Sequence, residues 1–127
     1  MQQWQSEWAH NKYWVMAHSQ QAYNRIRTLA RNNDWTPDKQ AEYQQIIRDL
    51  DHQPPTKATL TTAYQHVWGY LKKNATQAER DRYVYLLAKL TPSDDELGSF
   101  LVDLTDQYQV KYLLKSRLIQ DLRNDCD

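Results

Sequence analysis

The sequence predicts an all-α protein, folded as one compact bundle of about five helices that spans residues 1–127. Three observations favour this fold class. The chain has only 2 glycines, which leaves few of the tight turns that strand-rich folds require. Apolar residues recur at helical spacing, and several segments open with helix-capping residues. The composition, 40% hydrophobic and 25% charged, is that of a folded domain.

Four helix starts carry a capping hydroxyl, a proline at the first helical position, or both. They are Thr36-Pro37, Pro54-Pro55-Thr56, Thr76 with Glu79, and Ser93 with Glu96. Together with the N-terminal segment, these starts predict helices near 4–32, 37–51, 57–74, 77–90 and 94–122. Either of the two long outer helices is a candidate for an internal break.

Three of these helices carry an apolar stripe that would face a shared core. The stripes are Trp4, Trp8, Val15, Ala22, Ile26 and Leu29 on the first helix, Leu60, Tyr64, Val67 and Leu71 on the third, and Leu97, Leu101, Leu104 and Tyr108 on the fifth. Short connections between such helices favour antiparallel packing.

Several classes of site are not expected. Cys126 is the only cysteine, so a disulfide, a thiolate metal cage or an iron–sulfur ligand set is not expected. The 4 histidines lack the spacing of zinc or di-iron ligands, and we expect no metal site and no cofactor. No stretch approaches the ~20 apolar residues of a membrane helix, and the N-terminus lacks a secretory pattern. We therefore expect a cytoplasmic protein with no membrane partner.

Charge is unevenly distributed although the net charge is +0. In segments 1–32 and 52–93 most of the charged residues are basic, whereas in segments 33–51 and 94–127 most of them are acidic. The folded molecule could therefore have one basic and one acidic side, or a mixed surface.

The position of Lys12 is unusual for a lysine. It forms one line with Met16, Ser19 and Tyr23 along the edge of the apolar stripe, so its side chain should be partly buried. Because an ammonium group is costly to bury without a partner, three outcomes are open: pairing with a carboxylate, extension to water, or a position in a cavity that holds an anionic ligand.

His18 falls on the helical wheel between Trp14 and the apolar stripe. It is either a core histidine bonded to backbone or to a neighbouring side chain, or a general acid–base group. Ser19 points about 100° away from His18, so the pair cannot form a nucleophile–base hydrogen bond directly. Tyr23 is the better-placed partner for Ser19.

The third predicted helix carries a polar face formed by His66, Gly69, Tyr70 and Lys73. A glycine within a helix costs about 1 kcal/mol relative to alanine, so Gly69 should allow the close approach of another helix or of a ligand. If the first and third helices pack together, a pocket of mixed aromatic and basic character would form. Its predicted members are Lys12, His18, Tyr23, His66 and Tyr70.

Basic residues are interleaved with aromatic ones in Lys12-Tyr13-Trp14 and between Trp68 and Lys73. Single-stranded nucleic-acid surfaces use this combination, because rings stack on bases while cations meet phosphates. The same pattern also occurs on ordinary helices.

Three runs of residues carry a resemblance to a known family. They are Lys12-x3-Met16-Ala17-His18-Ser19-x3-Tyr23, His66-Val67-x-Gly69-Tyr70 and Glu79-Arg80. These runs resemble the bacterial YbgA-like domain, a domain of unknown function, and weaker similarity extends over nearly the whole chain. The resemblance implies a cytosolic helical domain whose motif residues form a site.

The YbgA-like domain occurs alone or C-terminal to a thiouracil-desulfidase-like domain that carries an iron–sulfur cluster on cysteines. This chain lacks those cysteines, so desulfidase chemistry does not carry over. In the family, histidine and arginine often precede the lysine of the first motif, whereas residues 8–11 here read Trp-Ala-His-Asn. A histidine often found before a tyrosine in the last helix is Gln107 here, so a catalytic role that depends on those histidines is not expected.

The leading functional hypothesis is an accessory module that binds nucleic acid or a modified, for example thiolated, nucleobase or nucleotide, and that partners a nucleobase-modifying enzyme. The expected ligand-binding residues are Lys12, His18, Ser19, Tyr23, His66, Tyr70 and Lys73. One alternative is a small enzyme with His18 or His66 as the acid–base group. A third is a protein-interaction scaffold without a ligand.

Overall fold

A computed structural model describes residues 2–125, and the Cys126 tail lies outside them. Within the described residues the chain forms eight α-helices and no β-strand, which confirms the all-α prediction. The helices are α1 (Gln3–His18), α2 (Gln20–Ala30), α3 (Pro37–Leu50), α4 (Lys57–Leu71), α5 (Gln77–Lys89), α6 (Glu96–Tyr108), α7 (Lys111–Lys115) and α8 (Arg117–Asp125). A 3-10 turn, Arg31–Asn33, follows α2.

The predicted helix 4–32 is broken at Ser19. This residue adopts an extended conformation (φ −162°, ψ 117°), and its hydroxyl accepts a hydrogen bond from the backbone N–H of Ala22 at 3.0 Å. Serine is a favoured N-cap because its side chain satisfies an amide at the start of a helix, and α2 therefore begins anew here. The predicted pairing of Ser19 with the Tyr23 side chain is wrong, because Tyr23 reaches Ser19 only through its backbone N–H.

The predicted helix 94–122 is broken twice, at Gln109, which adopts a left-handed conformation (φ 51°), and at Ser116. Its predicted start is also wrong. The carboxylate of Asp95, not the hydroxyl of Ser93, caps α6 by accepting from the N–H of Gly98 at 2.8 Å. Residues 91–94 close a turn of their own, which leaves Asp95 as the first residue free to cap the helix.

The other three marked starts are confirmed. Thr36 caps α3 with proline at the first helical position, Thr56 caps α4, and Thr76 with Glu79 forms a capping box on α5. The predicted third helix ends earlier than expected, at Leu71.

The second half of α1 lies at the centre of the molecule. Its residues 13–17 are consecutive and all at most 5% exposed. A helix buried on every side needs partners all round, and α1 packs against α2, α3, α4 and α8. The predicted stripe residues Leu60, Tyr64, Val67 and Leu71 of α4, and Leu97, Leu101 and Leu104 of α6, belong to the same core. None of the described helices is both long enough and apolar enough to cross a bilayer.

Candidate functional site

A cleft of about 470 Å³ opens between α1 and α2. Because α2 folds back along α1 after Ser19, two side chains of α1 face one side of α2 across this cleft. The lining residues are Trp8 and Lys12 from α1, Asn24, Arg27, Thr28 and Ala30 from α2, and Arg31 from the turn after it. Three of them are cations.

The cations of the cleft are Lys12, Arg27 and Arg31. Among residues 2–124, no carboxylate lies within ion-pair distance of any of them, although ion pairs form elsewhere on the surface. Lys12 is half-buried, as predicted from its position beside the apolar stripe. Of the three outcomes open for Lys12, pairing with a carboxylate is therefore not found among residues 2–124. The residue lines an open cleft, and extension to water and contact with an anionic ligand both stay predictions.

One aromatic ring, that of Trp8, lines the cleft. Trp8 is half-buried, and its ring centroid lies 5.7 Å from that of Tyr23. The guanidinium carbon of Arg27 lies 5.7 Å from the centre of the Tyr23 ring, within the range of a cation–π contact. Tyr23 is only 8% exposed, so Trp8 and Arg27 pack against a buried ring.

Three tyrosines, Tyr13, Tyr70 and Tyr112, pack together on the α4 side of Lys12, and we call them the tyrosine cluster. Their ring centroids are 5.4–6.1 Å apart. The hydroxyls of Tyr13 and Tyr70 are hydrogen-bonded at 3.1 Å, and the hydroxyl of Tyr112 donates to the carbonyl of Ala9 at 3.1 Å. Burial, reinforced by the bond to Tyr70, raises the pKa of Tyr13 well above its usual range, so this phenol stays neutral.

The polar face of α4 lies beside this cluster. His66, Gly69 and Tyr70 are exposed on it, and the His66 ring lies 6.0 Å from the ring of Tyr13. Lys73, predicted on the same helical face, is exposed in the turn after α4, because the helix ends at Leu71. The expected close approach of another helix to Gly69 is wrong, because a Cβ atom added there would meet nothing within 4 Å.

His18 lies apart from these groups. Its Nδ1 is 2.7 Å from the carbonyl oxygen of Gln53 and its ring lies 4.6 Å from Trp14. Since a carbonyl can only accept, Nδ1 donates this bond, and the half-buried His18 has the backbone partner that one of its two alternatives predicts. The acid–base alternative stays a prediction. It lines a separate cleft of about 290 Å³, together with Tyr64, Asp95 and Asp121.

The predicted convergence of five residues is found only in part. Lys12, His66 and Tyr70 each lie 6.0–6.1 Å from the ring of Tyr13, whereas Tyr23 packs against Trp8 and Arg27, and His18 does not join them. The reason is the antiparallel packing of α1 and α4, which places the end of α4 beside the middle of α1 and the end of α1 beside the start of α4. Lys73 is exposed in the turn after α4, and the Ser19 hydroxyl is engaged in capping α2.

The sequence did not lead us to expect Arg27, Arg31 or Tyr112 in a site. Trp8 was expected only in the apolar stripe, and Tyr13 only in the run of basic and aromatic residues. The two arginines follow Asn24 and Thr28 at helical spacing, a signal present in the sequence. No local pattern indicates Tyr112, because its position depends on the breaks at Gln109 and Ser116. Within residues 2–124, no three His, Cys, Asp or Glu side chains are grouped so that they could hold a metal ion.

Fold and site together define an all-helical domain with a cation-lined cleft between its first two helices. The chain belongs to the family described as protein of unknown function (DUF1722), whose model matches residues 12–121 and so includes both Lys12 and the α4 face. No curated protein and no solved structure matches the chain.

Proposed function

We propose that this protein is an accessory binding module for nucleic acid or nucleotides, and that Lys12, Arg27 and Arg31 hold the phosphates. One observation carries the proposal: the three cations converge on one cleft and lack acidic partners among residues 2–124. Phosphate oxygens accept hydrogen bonds from both lysine and arginine, so a phosphate in this cleft would meet cations that no carboxylate of these residues neutralises.

The shape and lining of the cleft support a ligand that also carries a planar ring. Its volume, about 470 Å³, lies within the range of small-molecule sites. Trp8 offers an aromatic surface beside the cations, and stacking of a base on such a ring contributes ~1–3 kcal/mol. A nucleotide satisfies both requirements, since it joins a flat base to a phosphate.

The resemblance to the YbgA-like domain refines the proposal. If the chain is a bacterial YbgA-like domain, its association with a thiouracil-desulfidase-like domain favours a thiolated base or nucleotide as the ligand. A nucleobase-modifying enzyme then becomes the expected protein partner, and the cytoplasm the expected compartment. This refinement rests on analogy between family members, whereas the phosphate site rests on the cleft itself.

Titration with single-stranded DNA and with bulk transfer RNA tests the proposal, with tryptophan emission as the readout. At low salt we expect saturable quenching that is lost in Trp8→Phe, because Trp8 lines the cleft. Lys12→Ala should weaken binding about tenfold, which corresponds to the loss of one charged hydrogen bond of about 1.4 kcal/mol. Arg82→Ala is the matched control, because Arg82 is an exposed cation on α5.

Two results would contradict the proposal. One is the absence of binding at low salt by protein that is folded according to its circular dichroism. The other is an equal loss of affinity in Lys12→Ala and Arg82→Ala, which would indicate non-specific attraction to the protein surface.

A second candidate function is a small enzyme with His18 as the acid–base group. It is favoured by the cleft that His18 shares with Tyr64, Asp95 and Asp121, where Nε2 is the ring nitrogen that remains to accept a proton. Incubation with nucleobases and nucleotides, followed by mass spectrometry of the products, tests it. Turnover by the wild-type protein that is lost in His18→Gln while binding persists would favour the enzyme. If the wild-type protein shows no turnover and His18→Gln unfolds, His18 has a structural role.

A further inference from the structure

Gly69 has no structural reason to be a glycine. It lies in helix α4 without a positive φ angle, so its backbone conformation is open to any residue. It is exposed, and a Cβ atom would meet nothing within 4 Å, so no packing in the described fold requires its absence. Because glycine weakens a helix relative to alanine, the fold would be more stable with a side chain here.

The exposed surface around Gly69 carries a ring and a cation. His66 and Tyr70 are its neighbours on the α4 face, and Lys73 lies in the turn just after α4 ends at Leu71; all three are exposed. No carboxylate of residues 2–124 pairs with Lys73. Tyr70 is 38% exposed, which is a large exposed fraction for an aromatic residue, and its hydroxyl is hydrogen-bonded to that of Tyr13. A fixed, exposed ring beside a cation is suited to stacking on a base.

This face adjoins the cation-lined cleft. The Nζ atom of Lys12 lies 6.0 Å from the centre of the Tyr13 ring, and the hydroxyl of Tyr13 is bonded to Tyr70. Lys12 therefore borders the cleft on one side and the tyrosine cluster on the other. From His66 to Tyr70 the face extends for ~6 Å along α4, and Lys73 follows in the turn after the helix.

We propose that a single-stranded nucleic acid bound in the α1–α2 cleft continues past Tyr13 onto α4, where its sugar–phosphate backbone passes directly over Gly69. In this arrangement a base stacks on Tyr70 and Lys73 contacts a phosphate. A side chain at position 69 would hold the strand away from the helix, and this accounts for the glycine. The inference rests on the proposed function and extends it from a single phosphate site to a strand of several nucleotides.

The test compares Gly69→Ala and Gly69→Gln with the wild-type protein, in thermal unfolding and in binding of two oligonucleotides. We expect Gly69→Ala to raise the melting temperature by a few degrees. For a ten-nucleotide single strand, affinity should fall several-fold in Gly69→Ala and further in Gly69→Gln. A dinucleotide, which reaches only the cleft, should bind all three proteins equally. Gln65→Ala, an exposed change on the same helix, is the control and should leave both affinities unchanged.

The failures of this inference and of the proposed function are distinguishable. If the ten-nucleotide strand binds in a Lys12-dependent manner but equally well to wild type, Gly69→Ala and Gly69→Gln, the path over α4 is wrong and the cleft remains. If the wild-type protein binds neither oligonucleotide at low salt, both proposals are wrong. A lower melting temperature for Gly69→Ala would also overturn the inference, because it would mean that the space at Gly69 is not open.

Discussion

The hydroxyl groups of Tyr13 and Tyr70 lie 3.1 Å apart, so a single hydrogen bond joins a phenol that is 5% exposed to one that is 38% exposed. The two hydroxyls differ in the hydrogen-bond partners that remain available to them if this bond is removed. If Tyr13 loses its partner, its hydroxyl remains buried, whereas the hydroxyl of Tyr70 can bond to water. The bond thus fixes an exposed ring of α4 to the buried centre of α1.

The first prediction concerns this asymmetry. Tyr70→Phe should lower the free energy of unfolding by about 1–3 kcal/mol, the cost of a buried unsatisfied hydroxyl. Tyr13→Phe should cost less, because the Tyr70 hydroxyl can find water, and adding Tyr70→Phe to it should cost little more. Urea unfolding measures these differences, with Tyr85→Phe, which is 60% exposed, as the control. Equal costs for the two single variants would contradict the account.

The second prediction contrasts the two glycines. A Cβ atom at Gly98 would lie 2.9 Å from a methyl carbon of Leu122 and 2.9 Å from the hydroxyl of Tyr64, which donates a hydrogen bond to Asp95. Gly98→Ala should therefore lower the free energy of unfolding by about 1–3 kcal/mol through overpacking. Thermal unfolding should show opposite shifts for Gly98→Ala and Gly69→Ala. Shifts of the same sign would contradict the packing described for one of these sites.

The third prediction concerns acid pH. The hydrogen bond from the Tyr108 hydroxyl, together with the backbone N–H of Thr76, lowers the pKa of Glu79 below its ordinary value of 4.5. Because the unfolded chain then takes up a proton before the native one does, stability from this carboxylate is fully present well above pH 4.5 and is lost as the pH falls below 4.5 through the lowered pKa.

Glu79→Gln should accordingly lower stability at neutral pH and make stability less dependent on pH in the acid range. Denaturant unfolding at a series of pH values measures this. Glu42→Gln is the control, since Glu42 is an exposed carboxylate on α3. If the free energy of unfolding falls as steeply with decreasing pH in Glu79→Gln as in the wild type, other groups cause the acid dependence.

The fourth prediction assigns Ser19 a structural role. Ser19→Ala removes the N-cap of α2 and should lower the free energy of unfolding by about 0.5–2 kcal/mol, whereas Ser19→Asp should retain most of the stability. Affinity for single-stranded DNA should be unchanged in a folded Ser19→Ala protein. A specific loss of affinity without a loss of stability would instead place Ser19 in the binding site.

Much of this fold could be predicted from local signals. The caps at Thr36, Thr56 and Thr76 and the apolar stripe of α4 each involve residues close in sequence, and each is confirmed. The breaks at Ser19 and Gln109 were harder to place. A serine is tolerated inside a helix as well as at its start, and a left-handed glutamine has no sequence signature.

The candidate site was predicted less completely than the fold. The exposed face of α4 and the half-buried position of Lys12 follow from helical periodicity. The helix faces that come into contact depend on how α1, α2 and α4 pack. This packing places Arg27 and Arg31 in the same cleft as Lys12, and it separates His18 from His66. Periodicity gives the direction of a side chain on its own helix and carries no information about the neighbouring helix.

The central claim is that Lys12, Arg27 and Arg31 form a phosphate site, and the salt dependence of binding tests it most directly. For a single strand, three phosphate contacts predict that the logarithm of the association constant falls with the logarithm of salt concentration with a slope of about −2. The triple variant Lys12→Ala/Arg27→Ala/Arg31→Ala should lose this slope along with most of its affinity, while Arg82→Ala keeps both. A triple variant that remains folded and binds with the wild-type slope would contradict the claim.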